Sequence, residues 1–438
     1  MKILRWIPAA LLALAISPAH AEIAIQEVTS PGGITAWLVE DHDIPFTALE
    51  IQFAGGTSLD LPGERGSVNL MTALLEEGAG TLDSQGFAEA RDGLAAAFGF
   101  SSTSDAIGVS ARFLTENRDQ AIELLRSALL TPRFDDDAIE RVRGQVLASL
   151  AQDEKDPGSV ASRTFKRLAW GDHPYGSSGD GTPDSVAKLT RDDLVEAKQA
   201  TMARDRMYVA VVGDITAAQL GPMLDHLLGD LPDIGRQMPA QAPWLASGGV
   251  TVETFPSPQA VVIFGQEGLR RDDPDFFAAF VLNDVLGGRG FGARLMTELR
   301  EKRGLTYGVS TALAPMRLGA ALLGQVATAN ATVGQSIDLI RAEWQKLAAE
   351  GITPEELEAS KAYLTGSYPL RFDGNGNIAD ILVGLQTEGL GIDYATTRNA
   401  KIEAVTLDDI KRVAARLLKP ETLHFVVVGQ PDGVVSTD

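Results

Sequence analysis

The chain repeats itself at long range, and this limits its fold more than any single motif does. Leu189-Thr-Arg-Asp-Asp-Leu194 returns as Val405-Thr-Leu-Asp-Asp-Ile410, and Tyr208-Val-Ala-Val-Val-Gly213 returns as Phe425-Val-Val-Val-Gly429. Thr190 and Thr406 share with Val212 and Val428 a single offset of 216 positions. In each copy a Thr is placed to cap a helix and two aspartates sit at its positive end. A short apolar strand follows. A unit of about two hundred residues is too long for a solenoid repeat, so the pattern predicts two similar domains.

Each half has the same order of elements. Strands are expected over 33–39 and 46–54, and again over 250–255 and 260–265. Helices should follow over 65–76 and 85–97, and over 274–286 and 291–302. A strand pair near 107–113 answers a pair near 307–313 and 319–326, and long helices run through 135–153 and 354–366. The expected class is α+β: two homologous domains, each an antiparallel or mixed sheet with helices packed on one face. The division is residues 1–21 as a leader, 22–230, a linker over 231–249 and 250–438. The linker is rich in Pro, Gly, Gln and Ala and has neither helical nor alternating periodicity.

The leader reads as a cleavable secretory signal. Lys2 and Arg5 form its charged end, Trp6 to Ile16 its apolar stretch, and Ala19-His20-Ala21 its cleavage site, with the cut between Ala21 and Glu22. The expected location is therefore periplasmic or secreted, with no stable membrane insertion, because the apolar run is too short to span a bilayer. The chain has no cysteine, so burial alone must stabilise it. Its formal net charge of −21 becomes −23 when Lys2 and Arg5 leave with the signal. Such a balance argues against nucleic acid and anionic lipid as partners.

The stretch Gly66 to Gly78 reads as an amphipathic helix. Asn69, Thr72 and Ala73 fall at i, i+3 and i+4 and so share one face. These are the spacings of an inverted zinc motif, H-x-x-E-H, in which two histidines hold the metal and the glutamate activates water. Asn, Thr and Ala offer neither imidazole nor carboxylate, so the frame is present without ligands. In the second half, Leu299-Arg300-Glu-Lys-Arg-Gly-Leu-Thr-Tyr307 carries an Arg and a Tyr seven positions apart with Gly304 between. Arg300 would end a helix and Tyr307 begin a strand, and the turn can bring both to one edge.

The duplicated halves, the linker and these two patterns together resemble the insulinase, pitrilysin and mitochondrial-processing-peptidase family of inverzincins. The resemblance spans about residues 23–430. Small bacterial members of that family often work as two chains, one with the zinc helix and one without it. This sequence is similar to the second kind. The resemblance implies no cofactor in this chain, zinc in an H-x-x-E-H partner chain, and peptide as substrate. It gives Arg300 and Tyr307 the task of holding the substrate backbone and the carbonyl under attack. It also makes Gly287, Gly288, Gly290 and Gly292 a substrate loop at the chamber mouth. The alternative is a scaffold or peptide-binding protein that kept the fold and lost catalysis.

Other candidates are weaker. His42, His173, His226 and His424 are scattered, and no pair has metal-ligand spacing. Glu76, Glu77 and Glu140 lie near positions where active members carry carboxylates, but without the histidines they read as surface or capping charges. The G-x-G-x-x-A within 288–293 follows a helical run rather than the strand that a dinucleotide fingerprint requires. Asp373-Gly-Asn-Gly-Asn377 lacks the spacing and closing Glu of a calcium loop.

Overall fold

The computed structural model describes residues 24–437. The proposed signal and its cleavage site therefore lie outside the described residues. The first half contains β1 (Gln26–Thr29), β2 (Thr35–Glu40) and β3 (Phe46–Ala54). A small hairpin follows, β4 (Gly78–Ala79) with β5 (Leu82–Asp83), then β6 (Ala97–Ser102), β7 (Ala106–Leu114) and β8 (Met207–Gly213). The second half contains β9 (Gly249–Thr254), β10 (Gln259–Glu267), β11 (Thr306–Pro315), β12 (Ala320–Ala329) and β13 (His424–Gly429).

The two large sheets have one topology. Their strand orders are β1-β2-β8-β3-β7-β6 and β9-β13-β10-β12-β11. In each, the last strand of the half enters the middle, parallel to the first long strand and antiparallel to the second. Val212 pairs with Ala48 as Val428 pairs with Val261, so the repeated strands are equivalent in register. Thr190 and Thr406 both close capping boxes, with Asp193 and Asp409, at the starts of equivalent helices. The outer neighbour differs. β1 pairs along β2, whereas β9 is met by the chain's own C-terminal segment, where the Thr437 amide donates to the Val250 carbonyl at 2.9 Å.

Alternation along the strands divides each sheet into two faces. Leu49, Ile51 and Phe53 of β3 enter one core with the first half's own helices. Ala48, Trp37, Val39, Ala210 and Val212 point the other way and pack on Ala379, Leu382, Val383 and Leu385. Those four residues belong to the helix Asn375–Thr387 of the second half. The exchange is reciprocal: helix Pro157–Trp170 of the first half places Val160, Ala161, Phe165 and Ala169 against Val426 and Val428 of β13. Each sheet thus carries its own helices on one face and a helix from the other half on the opposite face.

Residues 232–248 have no helix or strand. They are nonetheless fixed. The Leu245 amide donates to Ala169 (2.9 Å), the Ala242 amide to Leu318 (2.6 Å), and Trp244 stands edge-on to Trp170 at 5.1 Å.

Several boundaries differ from the sequence pattern. The expected helix 65–76 is only Ser67–Ala73, since Gly66 enters it at φ 97° and the chain then turns into the β4–β5 hairpin. The expected helix 85–97 ends at Gly93, and only its last residue, Ala97, belongs to a strand: it opens β6, the edge partner of β7. The expected helix 291–302 is a 3-10 turn, Gly290–Gly292, followed by a π-helix, Met296–Glu301. Gly290, at φ 69°, and the extended Ala293 break the run.

One carboxylate lies in the seam between the halves. Glu50 on β3 faces the 375–387 helix, with Asp380 of that helix and Arg112 of β7 as charged neighbours. Burial pushes Glu50 up to about 7 from 4.5; Asp380 adds to the rise and Arg112 opposes it. A raised folded pKa favours the folded state while the group is protonated. The contribution is complete below about 4.5 and is lost as pH rises through about 7. Glu50→Gln should therefore gain stability relative to the parent at pH 8, with a smaller difference at pH 5. Thermal melts at the two pH values test this; an equal difference at both would show that Glu50 carries no such linkage.

Candidate functional site

The helix Ser67–Ala73 positions the three residues with zinc-motif spacing, and their side chains are otherwise occupied. Asn69 is half-buried, and its Oδ1 accepts from the Ser102 hydroxyl of β6 at 3.2 Å. Thr72 is buried and donates to the Val68 carbonyl at 2.7 Å, which uses its only proton inside the helix. Ala73 is exposed and has no donor atom. The nearby carboxylates are committed to arginines. Glu76 accepts from Arg91 at 3.0 Å, and Glu77 takes both Arg141 amines at 2.9 and 2.6 Å. Arg141 holds Glu77 below its usual range. Glu140 is exposed and lies 3.4 Å from Arg143. Among the described residues no group of three or more His, Cys, Asp or Glu side chains is gathered to hold a metal. The donor set on this helix does not fit zinc.

The corresponding region of the second half is built differently. Helix Phe276–Asn283 runs into a π-helix, Asp284–Gly288, before the 3-10 turn Gly290–Gly292 and the second π-helix, Met296–Glu301. Single π-turns are uncommon and collect at functional positions. The first is anchored from below: Asp284, buried, accepts from the Ser360 hydroxyl at 2.6 Å, and burial raises its pKa. Gly287 lies so close to β11 that a Cβ would fall 2.5 Å from the Thr311 hydroxyl. Gly288 ends the first π-helix. Gly290 needs its positive φ, and the Gly292 carbonyl accepts from Arg289 Nε at 3.0 Å. The loop is thus pinned at its first glycine and turned outward at its third.

The second π-helix ends where Gly304, at φ 63°, reverses the chain. The Gly304 amide donates to Arg300 and the Leu305 amide to Leu299, both at 2.9 Å. β11 then begins with a defect. Thr306 pairs with Thr328 and Val309 with Val326, so the register slips between them and Tyr307 and Gly308 form a bulge. Thr306 locks it: its hydroxyl donates to the Ala327 carbonyl (2.7 Å) and accepts from the Gly308 amide (3.0 Å). Bulges re-aim side chains. Here Tyr307 is turned out of the edge strand and is 89 % exposed.

Arg300 is half-buried, with its guanidinium 4.5 Å over the ring of Phe291, which is itself 66 % exposed. Among the described residues it has no ion pair. The structure therefore brings Arg300, Tyr307 and the Gly287–Gly292 segment together on contiguous elements, as their spacing suggests. Phe291 was not singled out from sequence. A lone aromatic in a glycine run carries no periodic signal, and only the stacking reveals it.

The fold and this site define a duplicated α+β scaffold whose helix Ser67–Ala73 offers no metal ligands at the zinc-motif spacing. Comparison with known proteins agrees. Residues 188–364 match a family profile described as the peptidase M16 inactive domain. A non-peptidase homolog from Helicobacter pylori is 28% identical over 393 residues, covering 89% of this chain and 90% of that protein. A crystal structure of a peptidase M16 inactive domain from Pseudomonas fluorescens superposes with a TM-score of 0.88 at 28% identity, covering 94% of this chain and 99% of that one. A protease from Helicobacter pylori, at 17% identity and TM-score 0.84, covers 93% of this chain and 99% of its own and shares the fold. The match over residues 188–364 and the superposition over most of the chain make this protein similar in sequence and in fold to peptidase M16 inactive-domain proteins.

Two measurements follow. Metal analysis of the chain purified alone should find far less than one zinc per chain. Near-stoichiometric zinc, with chelator-sensitive peptide cleavage, would contradict the emptied helix. Thr306→Val should cost about 1–3 kcal/mol in denaturant unfolding, because it leaves the partners inside the bulge unpaired. A change within error would mean the hydroxyl does not hold the bulge.

Proposed function

We propose that this chain is the non-zinc, substrate-holding subunit of a periplasmic, heteromeric zinc metallopeptidase acting on peptides. One observation carries the reading: Tyr307 is held outward by a locked bulge on a strand that contacts the π-helix of Arg300, a cation with no ion pair among the described residues. Attack on an amide develops negative charge on the carbonyl oxygen, and fixed hydroxyl and guanidinium donors stabilise it or hold neighbouring carbonyls. The Gly287–Gly292 loop, with Phe291 outward, supplies backbone that can approach a peptide closely. The water-activating zinc belongs, in this reading, to a partner chain with an H-x-x-E-H helix. The leader over 1–21 supports export, and the mature chain would begin at Glu22.

A second reading, a catalytically inactive scaffold or peptide-binding protein, is favoured by the emptied helix and by the name of the Helicobacter pylori relative. Steady-state peptide cleavage by the mixed chains, beside a pull-down, separates the two. Tyr307→Phe should lower the rate by about 10²–10³-fold, the effect of removing one oxyanion donor. Arg300→Ala should impair turnover, through KM if its role is uniform binding. Both variants should still associate with the partner. Full activity in both would remove the pair from catalysis and leave the scaffold reading.

A further inference from the structure

A cavity of about 410 Å³ opens in the second half, at the end of β11 away from Tyr307. Leu313 and Pro315 of β11 line it, and Gln52 of β3 closes it from the first half. Five aromatic rings line it, Phe276, Phe277, Phe280, Tyr368 and Tyr394, beside aliphatic and charged side chains. Its size is that of a small-ligand site.

Three guanidinium groups stand among these rings. Arg271 is fully used, with Nε on Glu388 at 2.9 Å, Nη2 donating to the Tyr394 hydroxyl at 2.5 Å, and its plane 4.1 Å over Phe276. Arg398 is different. It is 7 % exposed and stacks over Tyr368 at 4.2 Å. Its Nη1 reaches the Leu364 carbonyl at 3.1 Å and Asn399 at 3.0 Å, but among the described residues it has no carboxylate at ion-pair distance. Arg371, on the turn Pro369–Arg371, is exposed and has no ion pair among the described residues either. Burial pushes Arg398 below the usual arginine range, and the charges of Arg371 and Arg271 act in the same direction. The Tyr368 hydroxyl, in a side chain 6 % exposed, has no hydrogen-bond partner among the described residues.

The acids on the wall do not balance these cations. Glu388 is committed to Arg271, which leaves Asp380 against Arg371 and Arg398. A buried cation without a counter-charge is costly, and a ligand anion removes that cost.

We propose that this cavity binds a small organic carboxylate bearing an apolar or aromatic side group. The carboxylate meets Arg371 and Arg398, which line the same cavity and can offer guanidinium donors, and the side group lies among the phenylalanines. A free peptide C-terminus and an N-acylated amino acid both present this chemistry. The site does not depend on the role of Arg300 and Tyr307.

The probes are N-acetyl-phenylalanine, its amide, and a short peptide ending in phenylalanine as free acid and as amide. Titration calorimetry on the full chain should detect at least one acid, with its amide at least about tenfold weaker. The arm that binds names the source of the carboxylate. Arg398 ties down the Leu364 carbonyl, so its replacement can disturb folding; Arg371 is exposed, so Arg371→Gln is the informative variant. It should weaken the acid about tenfold, leave the amide unchanged and keep the parent circular dichroism. Equal binding of acid and amide, no binding by any probe, or an acid unaffected by R371Q would overturn the proposal.

Discussion

The rest of the molecule depends on the exchange of helices across its centre. Each sheet has an apolar second face, and neither half covers its own. Val426 and Val428 are buried by Phe165 and its neighbours, and Ala48 and Val212 by Leu382 and Val383. Ordinary interfaces between domains of one chain are smaller and more polar, and permit relative motion. Here the interface is made of core. The angle between the halves is therefore fixed by packing, and so is everything mounted on them: the linker held between Ala169 and Leu318, the half-buried Glu50, and the edge strand that carries Tyr307.

The two halves share a topology but divide their chemistry. In the first, the helix 67–73 is ordinary in its contacts, and the Thr72 hydroxyl, Asn69 Oδ1 and the nearby Glu77 carboxylate all bond within the fold. In the second, irregularity is concentrated: two π-helices, a glycine turn and a bulge within about twenty-five residues. Such departures are stabilised only by surrounding contacts. The contacts are visible, with Ser360 beneath Asp284 and Thr306 inside the bulge. The two halves thus differ in how the same topology is finished: a regular helix without metal donors in one, a supported irregular edge in the other.

Much of this was legible in the residues. The shared offset of Thr190/Thr406 and Val212/Val428 is read from sequence because capping and strand burial are local and tolerate few alternatives. The missing zinc ligands are equally plain, since imidazole and carboxylate have no substitutes at Asn69, Thr72 and Ala73. The spacing puts Arg300 late in a helical turn and Tyr307 early in a strand, as found, but it does not give the outward presentation of Tyr307. A bulge depends on register with a distant strand, and neither Thr306 nor Gly308 announces it. Helix lengths failed where glycines intervene, at Gly66 and Gly290. The crossing helices could not be foreseen either. Residues 157–170 have an amphipathic pattern, but the pattern does not say which sheet receives the apolar side.

The exchange also orders events in time. A ribosome delivers the chain from its amino end, and the first half's residues are complete long before position 375 is made. Until Asn375–Thr387 arrives, Trp37, Val39, Ala48, Ala210 and Val212 form an uncovered apolar face on a sheet whose strands are already present. The reverse debt is absent, because helix Pro157–Trp170 precedes the sheet it covers. The nascent first half is thus the vulnerable species. A chain carried unfolded across a membrane before it folds would be spared that interval, since both halves would then be present when the sheets assemble.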